Sequence, residues 1–496
     1  HRKVPKKTMM KNLSFAASWF IPSVWCVVGF SSLFAQEPKA FEHIDMYCPS
    51  HFGNTYEVFY ENEMRDAISP LKEYGCQWYS EWFDMECCAD LATNKLNAFS
   101  TVLWQNVRMH YRLAQEMGLK TGLIITPNWT YYDQCRTEWK AAAGERIIGK
   151  QLICPSIPQA RQTLLNNYDR LFSDLARDGT TLGTISFFAY DWGGCACEKC
   201  QPWIRTFIIL VRDIYDVGKK YFPDLKCNLV GWWWKPEEHE IVADWVDENA
   251  PGMIDTCFLH IPYGATGPAD VRLPKGTKRG AFVHIGYSRS DQPDEYGQFG
   301  PVVAGNRIKT TLHNLREAGA DRIVCYSEGV YDDLNKAIVC GLASGKYDSY
   351  EKIAVDYAAR WFGTDEETSR QWGEWLVQWE NPLDVDTSAS GAVIAQLVDK
   401  TPNQSRDNWR LWQWVERQKL YEINREILSS GDDWTEQRLA LVDRFWAQRE
   451  KIHRKIWGIG VPVYIFHPEF CKMPWYDSWA ARCPEEKSRV KEPDER

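Results

Sequence analysis

The chain has 496 residues, 44% of them hydrophobic and 25% charged, which is enough apolar material for a sizeable core and excludes wholesale disorder. With 58 Lys and Arg against 67 Asp and Glu it carries a net charge of −9. An acidic surface repels phosphate backbones and anionic lipid, so neither nucleic acid nor a membrane surface is an expected partner. The unusual counts are 25 Trp and 16 Cys.

At the N-terminus, Met9-Met10-Lys11 reads as a start, with residues 1–8 upstream of it. Lys11 precedes an apolar run over residues 13–34 that ends in Ala35, before Gln36-Glu37-Pro38. A basic residue, an apolar stretch and a small residue in that order make a secretory signal. The expectation is export to the periplasm or the medium. An uncleaved anchor is the alternative, since the run is long and Leu33 stands where a small residue is usual. Outside the cytosol disulfides are permitted.

Between residues 41 and 345, eight short apolar, β-branched or aromatic runs recur at 42–48, 76–83, 120–127, 182–190, 226–233, 253–261, 279–286 and 322–327. Helix-like stretches lie between most of them, at 61–74, 98–117, 158–177, 201–221, 236–248 and 302–318, whereas 260–278 is rich in Gly and Pro and reads as loop. Eight strands with intervening helices over about 300 residues predict an α/β fold, a (β/α)₈ TIM barrel. An open doubly wound sheet is the runner-up, but no glycine-rich phosphate loop follows any strand. After residue 345 the strand signal ends, and apolar spacing near three to four predicts helices at 350–362, 366–379, 389–397, 407–428 and 434–457. Twelve of the 25 Trp lie after residue 360 and are read mainly as core of an α-helical C-terminal domain. The expected organisation is 1–35 signal, 41–345 barrel, 346–484 helical domain and 485–496 charged tail.

The strongest motif is Cys195-Ala196-Cys197-Glu198-Lys199-Cys200, after the fourth strand. Three thiols at that spacing can converge on one tetrahedral cation, and Cys154 in Cys154-Pro155-Ser156 is the candidate fourth ligand. A four-thiolate zinc site would be closed and structural; a disulfide with free thiols is the alternative. Cys471 and Cys483 are candidates for one further disulfide.

The segment Cys154-Pro155-Ser156-Ile157-Pro158 with Arg161, then Tyr190-Asp191-Trp192-Gly193-Gly194 and the cysteine cluster, resembles the zinc-containing β-galactosidases of glycoside hydrolase family 42 over about 50 residues. There four cysteines bind zinc and the fourth strand ends in a catalytic Glu. Here Asp191 follows Tyr190 instead, and the seventh strand, Phe282-Val283-His284-Ile285-Gly286, offers no nucleophilic Glu. The Asp, a small turn and the cluster are also similar to bacterial barrel glycosidases related to α-glucuronidases and hexosaminidases. In those proteins Tyr326-Ser327-Glu328-Gly329 and Asp332-Asp333-Leu334-Asn335-Lys336 would match the end of the last barrel strand. Both resemblances imply a sugar-cleaving barrel.

Glycoside cleavage needs two carboxyl groups flanking the bond, and in a barrel they stand at C-terminal strand ends. Asp191 and Glu328 are the first candidates, with Glu81 and Asp84 at the end of the second strand next. Tyr326 and Trp192 would partly desolvate Glu328, which suits a proton donor, so Glu328 is read as the acid and Asp191 as nucleophile or base, with exchange of roles open. Asp332 and Asp333 are read as helix caps. Indole faces stack on sugar C–H faces, which makes Trp82, Trp129, Trp192, Trp233 and Tyr287 candidate sugar contacts beside Tyr326. In Trp232-Trp233-Trp234, alternation would send Trp233 to one side and its neighbours to the other. His51, His260 and His284 near the ends of strands one, six and seven are candidate hydroxyl ligands, and Arg289 a candidate partner for an acidic sugar. The reading is an exported glycoside hydrolase acting on an oligosaccharide or polysaccharide. A non-catalytic carbohydrate-binding protein, a metal-dependent hydrolase and a polysaccharide lyase are the alternatives.

Overall fold

The structure, a computed structural model, describes residues 40–48, 56, 59–83, 85–144, 152–190, 194–262, 265–287, 300–431 and 433–457. Eight parallel strands close on themselves: β1 (His43–Tyr47), β2 (Trp78–Trp82), β3 (Lys120–Ile125), β4 (Leu182–Phe188), β5 (Lys226–Gly231), β6 (Ile254–His260), β7 (Lys278–His284) and β8 (Arg322–Tyr326). β1 pairs with β8 from His43↔Arg322 to Tyr47↔Tyr326, which completes the (β/α)₈ barrel. The helices that return the chain are α1 (Glu61–Glu73), α2 (Ala98–Glu116), α3 (Pro158–Arg177), α4 (Trp203–Tyr221), α5 (Pro236–Asn249), α6 (Gly305–Glu317) and α7 (Asp333–Ala343). No helix among the described residues joins β6 to β7, in keeping with the Gly- and Pro-rich loop there.

Local chemistry sets the helix starts. Asn97 accepts the Ser100 N–H ahead of α2, and Pro158 and Pro236, whose missing N–H costs nothing in a first turn, open α3 and α5. Strand alternation sorts side chains into two cores. Ile44, Met46 and Tyr79 face the helices, while Tyr47, Trp82, Ile124, Phe188, Val230, Phe258, Phe282, Val324 and Tyr326 pack inside the barrel. Below this apolar layer the interior turns polar, with Asp45 accepting the Ser80 hydroxyl at 2.6 Å.

Five more helices follow: α8 (Tyr350–Phe362), α9 (Glu366–Val377), α10 (Thr387–Lys400), α11 (Trp409–Ser429) and α12 (Glu436–Trp457). Trp372, Trp375, Trp379 and Trp414 are buried in a core continuous with residues of α1, α7 and β8, so helices and barrel share one apolar mass. Arg410 of α11 fastens the two. It is 1% exposed, lies between the rings of Trp361 (3.8 Å) and Trp409 (4.3 Å), and pairs at 2.7 Å with both Asp333 of α7 and Asp66 of α1. Among the described residues no helix is long and apolar enough to cross a membrane. The N-terminal segment, the charged tail, Cys471 and Cys483 lie outside the described residues.

Candidate active site

Among the described residues, Glu328, just past the C-terminal end of β8, is the predicted catalytic carboxyl that stands at the barrel mouth. Glu328 follows Tyr326 and Ser327, and its side chain keeps 22% exposure. His284, ending β7, meets Glu328 Oε1 through Nε2 at 2.8 Å, and the Tyr326 hydroxyl donates to Oε2 at 3.4 Å. Glu328 pairs with no Lys or Arg among the described residues; its ionic partner is His284.

The backbone beneath this pair is pinned by buried charge. The Glu328 N–H donates to Asp332 Oδ2 at 2.6 Å, and the Ser327 hydroxyl to Oδ1 at 2.8 Å. Lys336 stands 3.2 Å from Asp332 and donates to the Gly329 carbonyl at 2.9 Å. Burial pushes the Asp332 carboxyl up, and Lys336 opposes that shift. Asp332 is therefore a post for the Glu328 loop, and no cap hydrogen bond runs from its side chain to α7, which corrects the expectation. Asp333 is no cap either: its Oδ2 accepts the Tyr357 hydroxyl and Arg410. Gly329 sits at φ 119°, ψ −151°, a region only glycine occupies readily. On the β7 side, Arg307 of α6 donates to the carbonyls of His284 (3.1 Å) and Tyr287 (2.7 Å), with its guanidinium 4.0 Å from the Tyr287 ring centre. The N-terminus of α6 is held in turn by Glu380, which accepts the Asn306 and Arg307 N–H groups at 3.0 Å.

Two strained residues border the mouth. Tyr190 after β4 and Trp233 after β5 are the non-glycine residues with positive φ among those described, at 55° and 57°. Such backbone costs on the order of 1–3 kcal/mol each and gathers at functional sites. Tyr190 leans on Phe188 (5.1 Å) and Trp82 (5.8 Å), and Trp233, 44% exposed, packs on His260 at 4.4 Å. Since β5 stops at Gly231 and the chain turns at Trp233, alternation fails there: Trp232 enters the barrel, whereas Trp234 packs outside it on Phe207 and His239.

Other predicted residues stand elsewhere. Glu81 is fully buried between β2 and α2, where it accepts the Tyr79 hydroxyl (2.8 Å) and the Trp82 N–H (3.0 Å) and meets His110 at 2.8 Å. Trp82 points into the barrel, so its neighbour Glu81 points out toward α2. Trp82 and Trp129 pack edge to face at 5.1 Å with 0% and 2% exposure, and Tyr287 is 3% exposed; these rings support the mouth from within and offer no free face. Asp191, Trp192, Asp84, His51 and Arg289 lie outside the described residues. Sequence reasoning passed over the Tyr190 ring, Arg307 and Gly286, none of which has a local signal.

The cysteine cluster closes as expected. The sulfurs of Cys154, Cys195, Cys197 and Cys200 all lie within 4.8 Å of one another and none is in a disulfide. Cys154 stands 3.7 Å from Cys197 and 3.6 Å from Cys200. A tetrahedron with Zn–S bonds of about 2.3 Å has edges of about 3.8 Å, so this donor set suits a four-thiolate metal. Hydrogen bonding from the Cys200 thiol, with the Cys197 and Ala142 N–H groups, pulls the Cys195 thiol down against its burial. The cluster ties the loop after β3 to the one after β4, where the Ala196 N–H also bonds Ala142 and Asn128 bonds the Gly194 carbonyl.

No protein-family model matches the sequence, and no curated protein does. Among solved structures the chain is similar to a GH138 enzyme targeting pectin rhamnogalacturonan II, at 8% identity and TM-score 0.42, over 85% of this chain and 62% of that one, so it spans under two thirds of that enzyme. It is also similar to CpGH84B, at 10% identity and TM-score 0.43 over 84% and 74% of the two chains. The endo-1,4-β-mannanase from Rhizomucor miehei matches at 10% and 0.39, over 62% and 95%. At these identities and scores the likenesses give this chain neither an activity nor a substrate.

Proposed function

We propose that this protein is a glycoside hydrolase, cleaving glycosidic bonds of an oligosaccharide or polysaccharide with two carboxyl groups at the C-terminal face of its barrel. The observation that carries the reading is Glu328. It is a partly exposed carboxyl at a strand end, held on both oxygens by His284 and Tyr326 and paired with no Lys or Arg among the described residues. A binding protein could use the same carboxyl only to accept sugar hydroxyls, so cleavage is what separates the two readings. Asp191, directly after Tyr190, is the second carboxyl of this proposal, and export through the N-terminal segment is part of it.

The exposed indole of Trp233, presented by a strained backbone, offers a flat face to sugar C–H groups. Zinc is the metal proposed for Cys154, Cys195, Cys197 and Cys200. With four sulfurs it would have no open position, so it would brace the loop bearing Tyr190 and leave bond cleavage to carboxyl groups. A metal-dependent hydrolase would need that open position.

The test is a screen of the purified protein against aryl glycosides and plant or algal oligosaccharides, with Glu328→Gln and Asp191→Asn alongside. Both variants should fold and lose about 10³-fold in turnover. Glycan binding without cleavage by the wild type would overturn the proposal in favour of a binding protein.

A further inference from the structure

We infer that Glu328 is the electron-pair donor of the reaction and not its proton donor, and that His284 is its positioning residue, locked in one tautomer by the backbone of Gly286. The inference rests on the hydrolase reading above and reverses the role the sequence suggested for Glu328.

A neutral imidazole has one N–H and one accepting nitrogen, and a hydrogen bond to either nitrogen decides which is which. The Gly286 N–H donates to His284 Nδ1 at 3.3 Å. The nitrogen that accepts carries no proton, so the proton stands on Nε2, 2.8 Å from Glu328 Oε1. Tyr326 O–H donates to the other oxygen. Both oxygens thus face donors. An ionised carboxylate, which has only acceptor sites, satisfies both as they stand; a carboxylic acid would need the Tyr326 hydroxyl to turn and accept, since Oε1 already faces the His284 N–H.

The clamp is rigid on each side. Arg307 holds the His284 carbonyl, and the rings of Tyr326 and Tyr287 stand 4.9 and 5.1 Å from the imidazole. Gly286 is required for the approach itself, since a Cβ there would lie 2.2 Å from Glu328 Cγ and 3.2 Å from His284 Cε1. In the reaction, a Glu328 oxygen gives its electron pair to the anomeric carbon, or to a proton of the water that attacks it. The bond from that carbon to the leaving oxygen breaks, and the leaving oxygen takes its proton from a different acid. The His284 N–H stays on the second half of the carboxyl group throughout and keeps it oriented.

Glu328→Gln is assayed on a dinitrophenyl glycoside, whose leaving group needs no proton, and on an alkyl glycoside of the same sugar. Loss of about 10³-fold on both is expected. Retained turnover of the dinitrophenyl substrate alone would make Glu328 the proton donor and overturn the inference. His284→Phe should lower kcat by about 10²-fold with little change in KM, and His284→Gln, whose amide N–H can still donate, should recover part of it. Equal losses in the two variants would assign His284 to packing alone. Nitrogen NMR of the wild type should show Nδ1 of His284 bare and Nε2 protonated at neutral pH; any other pattern overturns the clamp. If the wild type cleaves no glycoside, the hydrolase reading and the catalytic role fall together, and the NMR pattern still decides the tautomer.

Discussion

Gly286→Ala adds one methyl group at the tightest point of the site. Gly286 has no left-handed φ, so alanine meets no backbone penalty there and the effect is steric. The new Cβ would lie 2.2 Å from Glu328 Cγ and 2.7 Å from its Cβ, and Glu328 must retreat by about 1.2 Å to reach the 3.4 Å of ordinary contact. That retreat cannot be taken up at the tip of a flexible side chain, since the atoms struck are the first two carbons. It stretches the 2.8 Å bond to His284 toward the limit of hydrogen bonding. A displacement near 1 Å at a reacting group costs about 10²-fold in rate, so kcat should fall by about that factor while KM moves little. Relief of the clash costs on the order of 1–3 kcal/mol, offset in part by the lower unfolded-state entropy of alanine, so the melting temperature should fall only modestly. The assay is steady-state kinetics on whichever glycoside the wild type cleaves, with a thermal melt of the same sample. A kcat within about threefold of wild type would refute the crowding, because a 1 Å shift could not then have occurred.

Purified protein should carry about one zinc per chain by mass spectrometry, lost in Cys154→Ser together with several degrees of melting temperature. Metal-free protein indifferent to chelator would sink the site. Arg410→Met removes the nearer cation from buried Asp333 and leaves it Lys336 at 4.0 Å, which should cost about 1.5–3 kcal/mol in urea unfolding; a loss under about 0.5 kcal/mol would mean the α11 latch is ornamental. Burial pushes the His239 imidazole from 6.5 down to about 4, so the folded state resists a proton that the unfolded chain accepts. Its contribution is complete above pH 6.5 and disappears as the pH falls through about 4, with about 3 kcal/mol at stake. Wild type should lose more stability between pH 7 and pH 4.5 than His239→Gln does, and parallel losses would contradict this. Glu81→Gln should lower stability by about 1–3 kcal/mol and leave kcat/KM nearly unchanged; a collapse of kcat with an intact fold would return Glu81 to the catalytic list.

The barrel was legible because two periods alternate in the sequence. Each of the eight predicted runs contains its strand nearly whole, and α3 and α8 begin and end where the apolar spacing put them. The four-cysteine cluster was legible because three of its cysteines are closely spaced in sequence and a tetrahedral arrangement of thiols needs one more, which Cys154 supplies. The mouth was legible only in part. Glu328 and His284 stand at strand ends, which a strand assignment locates. Which aromatic faces solvent depends on parity and on the residue where each strand stops. Adjacent residues of one strand cannot both face the barrel axis, so Glu81 and Trp82 were incompatible as partners in one site, and the barrel interior took Trp82. At Trp233 a positive φ redirects the chain, and no residue pattern announces it. Arg307 and Gly286 act through contacts made only when β7, β8 and α6 are in place.

The grip of Glu380 on the first turn of α6 ties the helical segment to the candidate site at the barrel mouth. Glu380 holds the helix start, Arg307 in that turn holds the carbonyl of His284, and His284 holds Glu328. A lineage that traded these C-terminal helices for another module would also have to supply a new anchor for its seventh βα-loop. In this protein the barrel is therefore not a free-standing cassette, and recombination at the boundary between barrel and helices should be heritable only when both sides of the Glu380 contact travel together.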